Sequence, residues 1–263
     1  MSSADLVSKW QGESERLVKN LFEMARAEDH AIIFIDEIDS MCGSRSEGES
    51  DSTRRIKTQF LVEMQGVTSG HDGLLVLGAT NVPWELDPAI RRRFEKRIYI
   101  PLPEPEARAV MFRLNLGDTP HTVGPDAFAK LGEISDGCSG SDISVVVREA
   151  LMEPLRKCQQ AKQFFEVADL TEAGERMLTP CEVYPSCDRC PMALSTGPPP
   201  TDAPCAYCHA RRTSLYEIAS ERLKVPMVNM ADFEKILERS RTSVAADELD
   251  RFTDWTMEFG QEG

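Results

Sequence analysis

Ala31-Ile32-Ile33-Phe34-Ile35 is an unbroken apolar run that stops on two acids, Asp36 and Glu37. A short continuous run of this kind is the signature of a strand buried on both faces, and such strands belong to sheets covered by helices on each side. Leu74-Leu75-Val76-Leu77-Gly78-Ala79 repeats the pattern, and Arg97-Ile98-Tyr99-Ile100, ending at Pro101, predicts a third, shorter strand. The segments between them are helical. Leu17, Leu21, Met24 and Ala25 fall at helical spacing within Glu15–Arg26, and a second helix is expected over Ser52 to Gln65. Buried strands alternating with helices make a parallel α/β sheet.

From Pro105 onward the strand signals stop. Glu106–Asn115, Asp126–Ile134 and Ser141–Cys158 read as helices, the last opened by Ser139-Gly140-Ser141-Asp142, small and acidic residues that suit a helix start. A Pro- and Cys-rich stretch, Leu178 to Pro226, has no long periodicity, and two helices follow near Met230–Ser240 and Ala246–Phe259. The expected division is an α/β domain over residues 1–104, a helical small domain over 105–177, a Cys-rich module over 178–226 and C-terminal helices over 227–263. A chain of 263 residues suits one large unit plus a smaller one.

A formal charge of −14 argues against a nucleic-acid binder or a general binder of anionic membranes, since neutralising phosphates takes positive surface. No apolar run approaches the ~20 residues that span a bilayer, so no direct membrane insertion is expected. The opening Met1-Ser2-Ser3-Ala4-Asp5 carries no secretory signal, which points to a cytoplasmic protein whose eight cysteines are reduced or metal-bound.

The acids closing the first strand have a chemical reading. Ligands of open α/β sheets sit outside the carboxyl ends of the strands. Asp36 there can hold Mg²⁺ through water, and Glu37 can orient or deprotonate an attacking water. The next strand ends Gly78-Ala79-Thr80-Asn81, setting an amide beside the same place, suited to a γ-phosphate or to the water. Arg91-Arg92-Arg93-Phe94-Glu95-Lys96-Arg97 then puts five cations into seven residues, and a guanidinium is suited to stabilising a transferring phosphoryl group. Taken singly, each has a plainer explanation: solvated acids at a turn, an Asn capping a loop, a solvated basic turn.

Their order and spacing carry more. Ile33-Phe34-Ile35-Asp36-Glu37-Ile38-Asp39, Gly78-Ala79-Thr80-Asn81 and Arg91-Arg92-Arg93-Phe94 resemble the Walker B, sensor 1 and arginine-finger segments of AAA ATPases. The match from Asp5 to Gln160 resembles the subfamily of katanin, spastin, fidgetin and the vacuolar-sorting ATPases. Ile100-Pro101-Leu102-Pro103-Glu104-Pro105, Leu178-Thr179-Pro180-Cys181 and Phe259-Gly260-Gln261-Glu262-Gly263 look like the vacuolar-sorting branch. Only Glu182 to Val225 falls outside the resemblance.

The resemblance implies an AAA+ ATPase, with ATP and Mg²⁺ as cofactors, that threads and disassembles ESCRT-III-type polymers at endosomal membranes. It implies a homo-oligomer, a hexamer, and an assembly cofactor protein as partner. Asp36 would support Mg²⁺, Glu37 would activate water, and Asn81 would sense the γ-phosphate. Gly140 and Ser141 would touch nucleotide, and Arg92 and Arg93 would reach into the neighbouring subunit's site. Lys9 and Trp10 would form the first pore loop, Trp10 gripping an extended substrate through its flat, few-rotamer ring. Two other readings stay open: a microtubule-severing relative, and a catalytically dead subunit that regulates intact ones.

One part of the family pattern is missing. No segment matches G-x-x-x-x-G-K-[ST], the loop whose backbone N–H groups and Lys hold the β- and γ-phosphates. Nine residues precede Trp10, where the family places that loop some twenty-five residues upstream. The expectation is therefore an incomplete, N-terminally truncated AAA+ sheet, short of two strands, in a chain that does not hydrolyse ATP alone.

Cys187-Asp188-Arg189-Cys190, fourteen residues, then Cys205-Ala206-Tyr207-Cys208 has the spacing of a four-thiolate zinc ribbon. The Gly197-Pro198-Pro199-Pro200 loop is too poor in apolar residues for a core, so Zn²⁺ would supply the stability. His209 or Cys181 could replace one ligand. Cys205–His209 also matches a haem-attachment pattern, which the missing export signal disfavours.

Overall fold

The computed structural model describes residues 13–43, 51–68, 73–181 and 210–260. The chain divides into two compact units, residues 1–100 with 247–263, and residues 101–246.

In the first unit, helix α1 (Glu13–Arg26) leads to strand β1 (Ala31–Ile35), short helix α2 (Ile38–Cys42), helix α3 (Asp51–Thr68) and strand β2 (Leu74–Gly78). β1 and β2 pair in parallel, Ala31 with Leu74 through Ile35 with Gly78. Ile33 and Ile35 are buried with Val18 and Phe22 of α1 and Ile56, Phe60 and Met64 of α3. Phe22 and Phe60 meet edge to face at 5.7 Å, and Arg26 donates to the Glu63 carboxylate at 2.7 Å, joining the two helices. The opposite sheet face is not covered as expected. Ile32 and Phe34 are 67% and 49% exposed, and their register partners Leu75 and Leu77 are 50% and 45% exposed. Among the described residues, helices pack on one side only.

The third expected strand does not form. Arg97–Ile100 keeps the alternation of a strand, with Tyr99 stacked on Phe252 at 5.8 Å while Ile98 and Ile100 point to solvent. Among the described residues no strand lies beside it to pair its backbone. Helix α4 (Pro88–Arg91) precedes it. Helix α9 (Ala246–Phe259) belongs to this unit and rests on Trp84 and Tyr99 through Phe252, with the Arg251 guanidinium 3.8 Å from the centre of the Trp84 ring.

The second unit is built on α5 (Pro105–Leu116), α6 (Pro125–Ile134), α7 (Gly140–Gln160) and α8 (Met230–Leu237). Phe112, Leu131, Ile143, Val147 and Phe233 share its core. α5 and α6 pack so closely that a Cβ on Gly132 would lie 2.2 Å from the Pro105 carbonyl oxygen. Buried Arg108 fills the same joint, donating to the carbonyls of Gly132 and Pro103.

This unit also holds strands not expected from the sequence, one inside the helical segment 105–177, one across its end and one in the Cys-rich stretch 178–226. β3 (Gln163–Leu170) and β4 (Arg176–Pro180) form an antiparallel hairpin, and β5 (Arg211–Arg212) pairs with β3 on its other side. Phe164 is fully buried, and the turn at Thr171–Glu175 uses Gly174 at φ 78°. Two runs rich in Phe, Val and Leu around a Gly turn were the signal. A bulge between Glu166 and Leu170 blurs its period.

Candidate functional site

β1 and β2 end at the same edge of the sheet, because they run parallel and in register up to Ile35 opposite Gly78. The chain leaves β1 through Asp36 and Glu37 and must turn at once into α2. Glu37 makes that turn in the left-handed region, φ 51° and ψ 45°, a conformation no other non-glycine adopts among the described residues. Such a residue stores about 1–3 kcal/mol of strain, held only because its surroundings over-determine it. Those surroundings are visible: Ile38 N–H donates to Ala79 O at 3.0 Å, and Ala79 N–H to Ile35 O at 2.9 Å. Asp36 accepts from the Glu37 backbone N–H at 3.0 Å. Both acids are exposed, and the Glu37 carboxylate has no hydrogen bond or ion pair among the described residues.

The loop after β2 is pinned by its neighbours rather than by Asn81. Thr80 Oγ1 donates to Asp39 Oδ1 at 2.5 Å and accepts from Val82 N–H at 3.1 Å. The turn is thereby closed without the Asn81 amide, which stays exposed and unbonded among the described residues. Asn81 is thus not a loop cap. Asp39 and Thr80 are site-shaping residues that the sequence reading did not single out; Asp39 in a first helical turn was the available signal.

The arginine run sorts into two kinds. α4 is capped by Asp87, whose carboxylate accepts from Ala89 N–H at 2.7 Å and whose own N–H donates to Cys42 O at 3.0 Å. Fully buried Ile90 anchors it. Arg91 lies over the Phe259 ring at 4.1 Å, and Arg97 donates to Phe259 O at 2.7 Å and Arg91 O at 3.0 Å, so both are engaged with the C-terminal helix or its own loop. Arg92 and Arg93 have no side-chain partner among the described residues. Behind this loop Cys42 is buried, and burial pushes its thiol up to about 12, which leaves it unreactive.

Gly140 and Ser141 open α7 in the second unit, where Ser139 and Asp142 form a reciprocal capping box. Lys9 and Trp10 lie outside the described residues, as do Cys187, Cys190, Cys205, Cys208 and His209. Cys181 is buried at the end of β4, its N–H donating to Gln163 O at 2.9 Å. Among the described residues no cluster of His, Cys, Asp or Glu could hold a metal ion. No described helix is long and apolar enough to cross a membrane.

Two exposed carboxylates and an unbonded amide at one edge of a sheet suit a metal ion, a phosphate and a water, and Arg92 and Arg93, unpaired among the described residues, suit an anion. Comparison with known proteins gives the family. Residues 1–102 match the model of the ATPase family associated with various cellular activities (AAA), residues 126–172 the AAA+ lid domain, and residues 204–260 the Vps4 C terminal oligomerisation domain. The last match begins inside the stretch expected to fall outside the resemblance. Vacuolar protein sorting-associated protein 4B of Pongo abelii is 50% identical over 268 residues, covering 100% of this chain and 55% of that protein. Vacuolar protein sorting-associated protein 4A of Homo sapiens is 49% identical over 267 residues, covering 100% and 56%. The chain therefore spans just over half the length of these relatives. The crystal structure of the FIGL-1 AAA domain superposes with a TM-score of 0.69 at 34% identity, covering 99% of this chain and 68% of that one. The chain belongs to the AAA family of ATPases, in the group that joins an AAA domain and its lid to a Vps4 C-terminal oligomerisation domain.

Proposed function

We propose that this chain is a subunit of an AAA+ oligomer that threads and disassembles ESCRT-III-type polymers during endosomal sorting, working in the cytoplasm and recruited to endosomal membranes. The observation that carries the reading is the sorting of the arginines: Arg91 and Arg97 are held by α9 and its own loop, while Arg92 and Arg93 have no side-chain partner among the described residues. Cations left without a partner in a chain of net charge −14 are placed for an anion from outside, and a neighbour's nucleotide supplies one. Extent of match favours ESCRT-III over microtubules as the polymer: the vacuolar-sorting relatives match 100% of the chain, whereas Fidgetin-like protein 1 of Caenorhabditis elegans, at a similar 51% identity, matches 59% of it.

In this reading Asp36 supports Mg²⁺, Glu37 draws the proton from an attacking water, and Asn81 orients that water or the terminal phosphate. Gly140 and Ser141 contact nucleotide, and Lys9 with Trp10 lines the pore of a hexamer. Mg²⁺, when bound, neutralises charge on the phosphates. The residues fit the water-activating half of such a site. The phosphate-holding loop has no counterpart in the sequence, so we infer that the chain alone neither binds ATP tightly nor hydrolyses it. Mg·ATP binding at low-micromolar Kd by the purified chain would overturn that.

The oligomer reading is tested by mixing the chain with P-loop-bearing subunits of a vacuolar-sorting relative whose own finger arginines are replaced by Ala. Addition of the chain restores hydrolysis, and the Arg92→Ala, Arg93→Ala double variant does not. Inhibition of unmodified subunits by the chain, with no restoration, favours the regulatory reading instead. We further infer that the Cys-rich stretch 178–226 binds Zn²⁺ through Cys187, Cys190, Cys205 and Cys208, with His209 or Cys181 able to replace one ligand. Metal analysis of the purified chain returns one zinc per molecule, and zinc at background removes the module.

A further inference from the structure

Asp142 does more than cap α7. Its Oδ2 accepts from Ser139 N–H at 2.9 Å and Ser139 Oγ at 2.8 Å, the local capping box. The same oxygen accepts from Ser243, a residue about a hundred positions further on, through its N–H at 3.3 Å and its Oγ at 3.0 Å. Ser243 lies in the irregular segment 240–245 that leads from α8 into α9. One carboxylate oxygen thus clips this connector to the first turn of α7. Thr242 reinforces the seat, its methyl 3.4 Å from where a Cβ on Gly137 would lie.

Two features around the clip are not explained by packing. Ser243 is exposed, so its hydroxyl can be reached from solvent. Arg239 and Arg241, four and two residues before it, are exposed and make no side-chain hydrogen bond or ion pair among the described residues. Nearby cations of the same unit behave differently: Lys130 pairs with Glu234, Arg156 with Glu149 and Glu153, and Lys157 with Asp232.

We propose that Ser243 is a phosphorylation site for an arginine-directed protein kinase, and that its phosphorylation releases the connector from α7. Arg239 and Arg241 supply the charge such a kinase reads in its substrate. In the transfer, Ser243 Oγ attacks the γ-phosphorus of kinase-bound ATP. The Oγ–P bond forms, the bond to the β,γ-bridging oxygen breaks, ADP leaves with the electron pair, and the hydroxyl proton passes to the kinase's base. The product replaces an O–H donor by a group of roughly −1.5 to −2 charge beside a carboxylate. Attraction becomes repulsion at the Ser243 end, while Ser139 still caps α7. The helix start therefore persists and the change is confined to residues 240–245.

The Asp142 carboxyl reports on the clip. Burial raises its pKa, but the hydrogen bonds from Ser139 and Ser243 outweigh this and hold it below the ordinary aspartate range. Release returns it part of the way.

The full chain is incubated with Mg·ATP and the catalytic subunit of an arginine-directed kinase, and the phosphate is mapped by peptide mass spectrometry. Incorporation is expected at Ser243, absent in Ser243→Ala and reduced in the Arg239→Ala, Arg241→Ala pair. Hydrogen exchange then shows the Ser243 amide exchanging about tenfold faster after phosphorylation, as the loss of a hydrogen bond to a charged acceptor requires. Asp142→Asn, which still caps a helix, shows part of that acceleration without phosphate. No incorporation, or incorporation only at Ser240 or Thr242, overturns the site. Phosphorylated Ser243 with unchanged exchange overturns the release.

Discussion

Glu37 combines two properties that pull against each other. It holds the carboxylate to which the proposed function gives water activation, and it does so from a left-handed backbone that a β-carbon disfavours. A glycine there would remove the strain at the cost of a more flexible unfolded chain. Glu37→Gly is expected to raise unfolding stability by about 1 kcal/mol, measured in urea, whereas Glu37→Ala gives no such gain. Buried Glu153 shows the opposite bargain. Burial alone would raise its pKa, but hydrogen bonds from Lys235 and Arg156 hold it below its usual 4.5. A carboxyl depressed in the folded state confers stability that is present in full above its unfolded pKa. That stability is lost as pH falls through the folded value. Glu153→Gln should cost about 1–3 kcal/mol at pH 7 and flatten the decline between pH 5 and 3, both read from urea midpoints. The sequence displayed Glu37 through its place after an apolar run. Glu153 was invisible there, because nothing local to α7 announces Lys235 some eighty residues later.

Elements were readable where their signal is local. β1 and β2 follow from continuous apolar runs, and α5, α6 and α7 from helical spacing with a cap at Ser139. Ile98–Ile100 failed for a reason outside its own residues, since a strand exists only beside another strand. The β3–β4 hairpin failed because the bulge breaks its alternation. Each has a consequence for stability. Phe164 is fully buried at the root of the hairpin, so Phe164→Ala should cost about 3–5 kcal/mol in thermal or urea unfolding. Phe34 and Leu75, about half exposed, lie on the sheet face that carries no helix among the described residues. Phe34→Thr with Leu75→Thr should lower binding of a hydrophobic dye and slow aggregation, while stability changes by about 1 kcal/mol or less. A large loss of stability would mean that this face is covered in solution.

The molecule as a whole divides its charges between holding itself together and addressing others. In the second unit carboxylates are matched to Lys130, Arg156, Lys157 and Lys235, which makes those cations structural. In the first unit Arg91 and Arg97 both converge on Phe259, the last residue of α9, one through its ring and one through its carbonyl oxygen. The loop that presents Arg92 and Arg93 is therefore moored to the end of α9 as well as to its neighbours in sequence. A pull on the end of α9 reaches that loop directly through these two contacts. An affinity tag, a bead or a binding protein attached just beyond Phe259 is not a neutral handle, but a line tied to the arginines themselves.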